Sequence, residues 1–158
     1  MIKSLYLLIF LTSTAFAATE GTLYLLGSVP LRFDLRVEPV IGQQDTLNMT
    51  DGETGLKVAD VAEVSNHVNG YEIFLESVNG GELANAGGLN SVSYQIQYGV
   101  TGPTVTPAVV GSPVSVKTSG PLTGLTVNFE EIFITFTGDP SLPAGAYTDT
   151  LVISMQAL

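Results

Sequence analysis

The chain has 158 residues and a mass of 16.6 kDa, enough for one ordinary domain with a hydrophobic core. It carries 5 Lys or Arg against 15 Asp or Glu, a formal charge of −10 that disfavours nucleic acid and anionic membrane surfaces as partners. The absence of Cys excludes a disulfide framework, Cys-ligated zinc, iron–sulfur centres and a cysteine nucleophile, and the single His cannot build a multi-histidine site. With 45% hydrophobic and 13% charged residues, the chain has apolar surface to bury and is expected to fold.

The first segment, MIKSLYLLIFLTSTAFAATE, has a basic start at Lys3, an apolar run over Leu5–Leu11 and the small-x-small triplet Ala15-Phe16-Ala17. This is a signal-peptide pattern, with cleavage expected after Ala17 and, as the next choice, after Ala18. Removing residues 1–17 leaves 158 − 17 = 141 residues and, with Lys3 gone, takes the formal charge from −10 to −11. The apolar run is well short of the roughly 20 residues that span a bilayer, so no transmembrane segment is expected.

The remaining chain reads as short alternating runs punctuated by Gly, Asn and Pro, the signature of an all-β protein. GTLYLLGSV is an extended candidate, separated by Pro30 from LRFDLRVE, where Leu31, Phe33, Leu35 and Val37 oppose Arg32, Asp34, Arg36 and Glu38. After a polar stretch from Gly42 to Gly55, LKVADVAEV supplies a less regular strand, and YEIFLES places Tyr71, Ile73 and Leu75 on one side. Asn69-Gly70 and Asn79-Gly80 signal turns. In VSYQIQY, Val92, Tyr94, Ile96 and Tyr98 oppose Ser93, Gln95 and Gln97.

The Pro- and Gly-rich stretch from Gly99 to Gly124 holds a short strand at PVSVK. In LTVNFEEIFITF the apolar set changes phase, from Leu125, Val127 and Phe129 to Ile132, Ile134 and Phe136, which predicts a β-bulge at Glu130-Glu131. The final run, AYTDTLVISM, aligns Tyr147, Asp149, Leu151, Ile153 and Met155, so Asp149 must find a partner or a solvent-facing end. Seven or eight short strands favour a two-sheet sandwich, with a closed barrel as the alternative.

No motif carries catalysis, and no catalytic, cofactor-binding or metal-binding residue is assigned. His67 in SNHVNG reads as a turn residue. Asp45, Asn48, Asp51 and Glu53 form an acidic loop whose spacing fails the EF-hand pattern, and it reads as a solvated loop rather than a calcium site. Glu130 and Glu131, as neighbours on a strand, face opposite sides and cannot flank one glycosidic bond. Asn48-Met49-Thr50 formally matches an N-glycosylation acceptor.

The segments TLYLLGSVP (22–30), GLKVADVAEVSNHVNGYEIFLESVNGGEL (55–83), VSYQIQY (92–98) and LPAGAYTDTLVISM (142–155) together resemble the fimbrial-subunit and spore coat U-like family of bacterial chaperone–usher pathways, especially its archaic branch. Pro143, Ala144, Gly145, Tyr147, Asp149, Leu151 and Ile153 match that family's closing-strand motif. The resemblance implies an immunoglobulin-like Greek-key β-sandwich that is incomplete and is completed by a donor strand. It divides the chain into a signal peptide (1–17), an N-terminal donor strand (18–29) and a pilin-like domain (30–158).

Leu23, Leu25 and Val29 become the groove-facing anchors and Gly27 the point of close approach, with Tyr24 and Leu26 as the alternative face. Implied partners are a periplasmic chaperone, an outer-membrane usher and other fibre subunits in a homo- or hetero-polymer. The implied location is a cell-surface fibre or coat reached through the periplasm. Three residues after the last strand motif leave nothing to cover an unfinished sheet, which adds an expectation of strand supply from another chain. Many relatives carry a disulfide near the first domain strand, and this chain lacks it. The competing expectation is a self-contained secreted sandwich that inserts its own N-terminal strand and binds a carbohydrate or an extracellular protein.

Overall fold

The computed structural model describes residues 22–158. The signal-peptide assignment to 1–17, and residues 18–21 of the donor-strand assignment, lie outside the described residues. The described chain is all-β, an immunoglobulin-like sandwich with no helix and no closed barrel.

One layer is a five-stranded sheet. It contains β1 (Phe33–Pro39), β2 (Gly52–Ser65), β10 (Thr126–Thr137), β6 (Gln95–Tyr98) and β7 (Thr104–Val105), side by side in that order. The other is built on β3 (Tyr71–Ser77), which pairs with β12 (Leu151–Ala157) along one side and with β8 (Ala108–Val109) and β9 (Val114–Thr118) along the other. A small third sheet of β11 (Tyr147–Thr148), β4 (Glu82–Asn85) and β5 (Ser91–Ser93) closes one end.

The core forms where the period-2 patterns of the two layers meet. Tyr71, Ile73 and Leu75 of β3 are buried against Val61, Ile96, Tyr98, Ile132 and Ile134 of the large sheet. The β2–β3 turn uses the expected Asn69-Gly70: Gly70 donates its N–H to the His67 carbonyl (2.9 Å) at φ +90°, and an added Cβ would lie 2.4 Å from the Gly120 carbonyl oxygen. His67 serves that turn, with its backbone N–H on Ser65 Oγ and its Nδ1 at 3.2 Å from the Gly70 carbonyl oxygen.

Several sequence expectations change. The chain makes twelve strands rather than seven or eight, because short two-residue pairings form within 99–124 and because two apparent single strands divide. VSYQIQY splits at Tyr94, so that β5 joins the small sheet and β6 the large one; the alternation survives because Tyr94 stays inward and buried. β2 begins at Gly52, inside the stretch read as polar loop, because β10 is long enough to pair with it there.

The bulge expected at Glu130-Glu131 is absent. Glu130 pairs with Val61 and Glu131 with Asp60 in unbroken register, and the shift falls one rung later, where Val58 of β2 is the extra residue between Ile132 and Phe133. Inward positions on β10 therefore run continuously through Asn128, Glu130, Ile132 and Ile134. Leu125, Val127 and Phe129 point to solvent, with Phe129 79% exposed. The apolar residues changed phase because polar ones occupy the inward positions at that end, where a buried polar network requires them.

Candidate functional site

Two strands leave one side of the sandwich open. β1 pairs only with β2 and β12 only with β3 among the described residues, so both layers end on that side in an unpaired edge. Asn66 N–H bonds the Arg32 carbonyl (3.1 Å) and Val40 N–H bonds the Val58 carbonyl (2.9 Å). Alternation then gives the even residues of β1 to β2 and turns the backbone groups of Phe33, Leu35 and Val37 to the open side. On β12, the bonds Val78 N–H to Thr150 C=O (3.0 Å) and Leu158 N–H to Gly70 C=O (3.2 Å) likewise free the backbone of Leu151, Ile153 and Met155.

Five of these six residues pack their side chains against the core, and none of the six is fully buried. Phe33, Leu35, Leu151, Ile153 and Met155 are half-buried and Val37 is 38% exposed, whereas Ile73 and Leu75, one strand inward, are at 0%. The site is thus an apolar groove with unsatisfied backbone donors and acceptors along both lips. Each lip runs antiparallel to the strand behind it, β1 to β2 and β12 to β3. Toward the Leu151 end the groove deepens into a cleft of about 220 Å³ lined by Leu47, Val58, Leu83, Tyr94, Ile134 and Leu151. Beside it a cleft of about 400 Å³ is bounded by Met49 and by Gly145–Asp149.

The closing-strand residues build one lip of this groove. Pro143 and Gly145 lie in the loop before β11, where the Pro143 carbonyl accepts from Tyr147 Oη (3.0 Å), and Tyr147 pairs with Asn85 of β4. Asp149 finds the partners its inward position demands. It accepts from Ser77 Oγ, Tyr94 Oη (2.7 Å), Asn79 N–H (3.0 Å) and the Thr150 N–H (2.6 Å), tying the start of β12 to β3 and to the β3–β4 turn. Burial, reinforced by the bond to Asp149, pushes the Tyr94 hydroxyl well above the ordinary tyrosine range. Leu151 and Ile153 then register against Ser77 and Leu75 and face the groove.

The four anchor candidates lie elsewhere. Leu23, Leu25 and Val29 are 79%, 80% and 85% exposed, in an extended arm that pairs with no described strand, and a Cβ on Gly27 would meet open space. Tyr24 and Leu26 are equally exposed, so neither face of the arm is covered. GTLYLLGSV, read as an extended candidate, therefore has no ladder within this chain over its described residues. The arm joins the body through Asn66, whose side chain accepts from Arg32 N–H (2.7 Å) and donates to the Pro30 carbonyl (2.9 Å).

Sequence reasoning missed the polar network at the opposite, β2–β3 turn end of the core. Glu63 is fully buried and accepts from Tyr71 Oη (2.6 Å), Tyr98 Oη (2.5 Å) and Lys117 Nζ (2.6 Å). Lys117 also reaches Glu130 (2.7 Å), and Asn128 Nδ2 donates to Tyr71 Oη (2.7 Å). Gly99 makes room for Glu130, since a Cβ there would sit 2.6 Å from Oε2. Burial pulls the Lys117 ammonium pKa down, but its bonds to Glu130 and Glu63 outweigh that and hold it above the ordinary lysine value. Burial, then the Glu63 bond, pushes Tyr98 up. The available signal was parity: Asn128 and Glu130 lie an even number of residues before Ile132.

The acidic loop turns its donors on itself. Asn48 donates its backbone N–H to Glu53 (2.9 Å) and its side-chain amide to Asp51 (3.0 Å). Among the described residues no three His, Cys, Asp or Glu side chains gather as a metal site, and no helix is long and apolar enough to cross a membrane.

No family model matches the chain and no curated protein matches it, so the resemblance in its motifs stands on those residues alone. Seven chains of solved structures match, among them the E. coli Hda pilus minor tip subunit, HdaB. That likeness has a TM-score of 0.39 and 12% identity over 77% of this chain and 79% of that one, too distant to carry a statement about function.

Proposed function

We propose that this protein is a structural, non-enzymatic subunit of a secreted surface fibre or coat, assembled by inserting the 18–29 arm of one copy into the groove of the next. The observation that carries the reading is the pairing, among the described residues, of two incomplete parts in one chain: an apolar groove with unpaired backbone on both lips, and an apolar arm that pairs with no strand. An added strand between β1 and β12 would satisfy both, since backbone pairing gives affinity and alternate side chains set register. An uncovered groove of this kind is an aggregation hazard, which fits a chaperone that occupies it in the periplasm and an usher that passes the subunit outward. Asn66 favours insertion in a neighbour, because a strand completing its own body would have to reverse at Pro30–Arg32, the residues that Asn66 holds on the body.

Leu25→Asp tests the anchor assignment. It would place an unpaired carboxylate in the groove, and a cost of roughly 3 kcal/mol lowers the association constant by about a hundredfold. The expected outcome is loss of assembly with an unchanged melting temperature of the monomer, since Leu25 is 80% exposed in it. Assembly at the parent level would refute the assignment of Leu25.

A further inference from the structure

The outer face of the large sheet, turned away from the core and the groove, carries apolar residues where an antiparallel sandwich ordinarily presents polar ones to water. Cross-strand register sets its side chains in three rows over β1, β2 and β10: Asp34, Val64 and Val127, then Arg36, Ala62 and Phe129, then Glu38, Asp60 and Glu131. These point outward, because Val61, Glu63 and Ser65, which alternate with them on β2, are buried. Phe129 is 79% and Val127 49% exposed, while Ala62 and Val64 are half-buried. A hollow of about 120 Å³ opens above Ala62 between Phe129, Arg36, Glu38 and Asp60. Along β1 the outward charges alternate through Arg32, Asp34, Arg36 and Glu38, with Arg32 held to Asn66 by its backbone N–H and carbonyl.

We infer that this face packs on the same face of a second copy, the two related by a two-fold axis that lies across the strands between the Asp34 and Arg36 rows. The inference is independent of strand insertion, since the groove opens on the core side of the sheet. Local charge order selects the occupant. The sequence plus, minus, plus, minus along β1 is its own complement when reversed, so an antiparallel copy sets Arg32 against Glu38 and Asp34 against Arg36. Arg32 and Asp34 make no ion pair among the described residues, and Arg36 pairs only with Glu38 of its own strand (2.5 Å). The same axis sets Val127 against Phe129 and Val64 over the hollow at Ala62. It leaves Leu125 opposite Glu131, whose carboxylate already has Lys57 (2.7 Å). A two-fold running along β2 instead would lay Glu38 on Glu131 and the Asp60 of each copy on the other, like charge on like. With strands about 4.8 Å apart and three rows of outward residues, the face covers a few hundred Å² per copy, the size of a weak contact. The net −10 of each copy opposes association at long range, a repulsion that physiological salt screens beyond about 8 Å.

The test uses the full chain carrying Leu25→Asp, which disables the arm, in sedimentation equilibrium at physiological salt and up to about 1 mM protein. The expected result is a reversible monomer–dimer equilibrium. Adding Phe129→Asp, Asp34→Arg or Arg36→Asp should each lower the association constant about tenfold, with the melting temperature unchanged, because the two-fold repeats every altered contact twice. Mixing the Asp34→Arg chain with the Arg36→Asp chain should restore the parent affinity, since each inverted charge then meets its opposite, a rescue that a misfolded variant cannot give. A parent that stays monomeric throughout, an association untouched by all three variants, or no recovery in the mixture overturns the face-to-face pair. None of these outcomes bears on strand insertion, which the arm and groove variants test separately.

Discussion

Replacing Lys117 with Met is the sharpest probe of how the sandwich holds together without a disulfide. Lys117 stands between the fully buried Glu63 and the partly exposed Glu130, at 2.6 and 2.7 Å, with its own side chain 22% exposed. Met keeps most of the aliphatic stem but leaves two carboxylates on one face of the core without that cation. Breaking a buried pair from one side costs about 3–5 kcal/mol, and because Lys117 reaches water we take the lower end, about 3 kcal/mol. For a domain of this size that is a fall of about 10 °C in melting temperature. Adding Glu63→Gln removes one of the stranded carboxylates while its amide can still meet the two tyrosine hydroxyls, so the double variant should recover part of the loss. Thermal unfolding followed by circular dichroism reads both. A Lys117→Met protein within about 1 kcal/mol of the parent would refute the claim that this pair is buried and coupled.

Alkaline stability follows from the same groups. Lys117, Tyr71, Tyr94 and Tyr98 all hold their protons more tightly folded than unfolded. Their contribution is therefore complete below about pH 10 and is lost above it, at up to about 1.4 kcal/mol per pH unit for each group. Urea midpoints should drop steeply above pH 10, and less steeply in Tyr98→Phe; equal slopes would show that Tyr98 ionises freely. Phe129→Ser should leave the melting temperature within about 2 °C of the parent, since the ring points to solvent at 79% exposure. A loss of more than about 3 kcal/mol would instead restore Phe129 to the core, as a bulge at Glu130-Glu131 requires.

Period-2 alternation made the strands with one apolar face legible, and Tyr71, Ile73, Leu75, Tyr94, Ile96 and Tyr98 all face inward as the pattern predicts. It failed on β10 because the rule assigns apolar residues to the core, whereas Asn128 and Glu130 are drawn in by Tyr71 and Lys117 from distant strands. A polar core position has no local signature; only its long-range partners explain it. The partner requirement of Asp149 was legible, since the final run placed it inward, but its partners Ser77 and Tyr94 were not. The alternation did not reveal the open groove, because Phe33, Leu35, Ile153 and Met155 alternate like any half-buried strand. Their incomplete burial emerges from which edges the topology leaves unpaired.

The central claim is that the arm of one copy completes the sandwich of another. The chain has no cysteine, so a single cysteine introduced into each of two copies can react only with the other or with its own kind. Leu25→Cys in one copy and, in separate proteins, Leu151→Cys, Ile153→Cys or Met155→Cys in the other would place thiols on neighbouring strands with Cβ atoms about 5 Å apart when the register matches. Native assemblies formed from each mixture, oxidised and run without reductant, should give the mixed dimer strongly for one of the three positions and weakly for the others. No mixed dimer at any of the three would contradict the account.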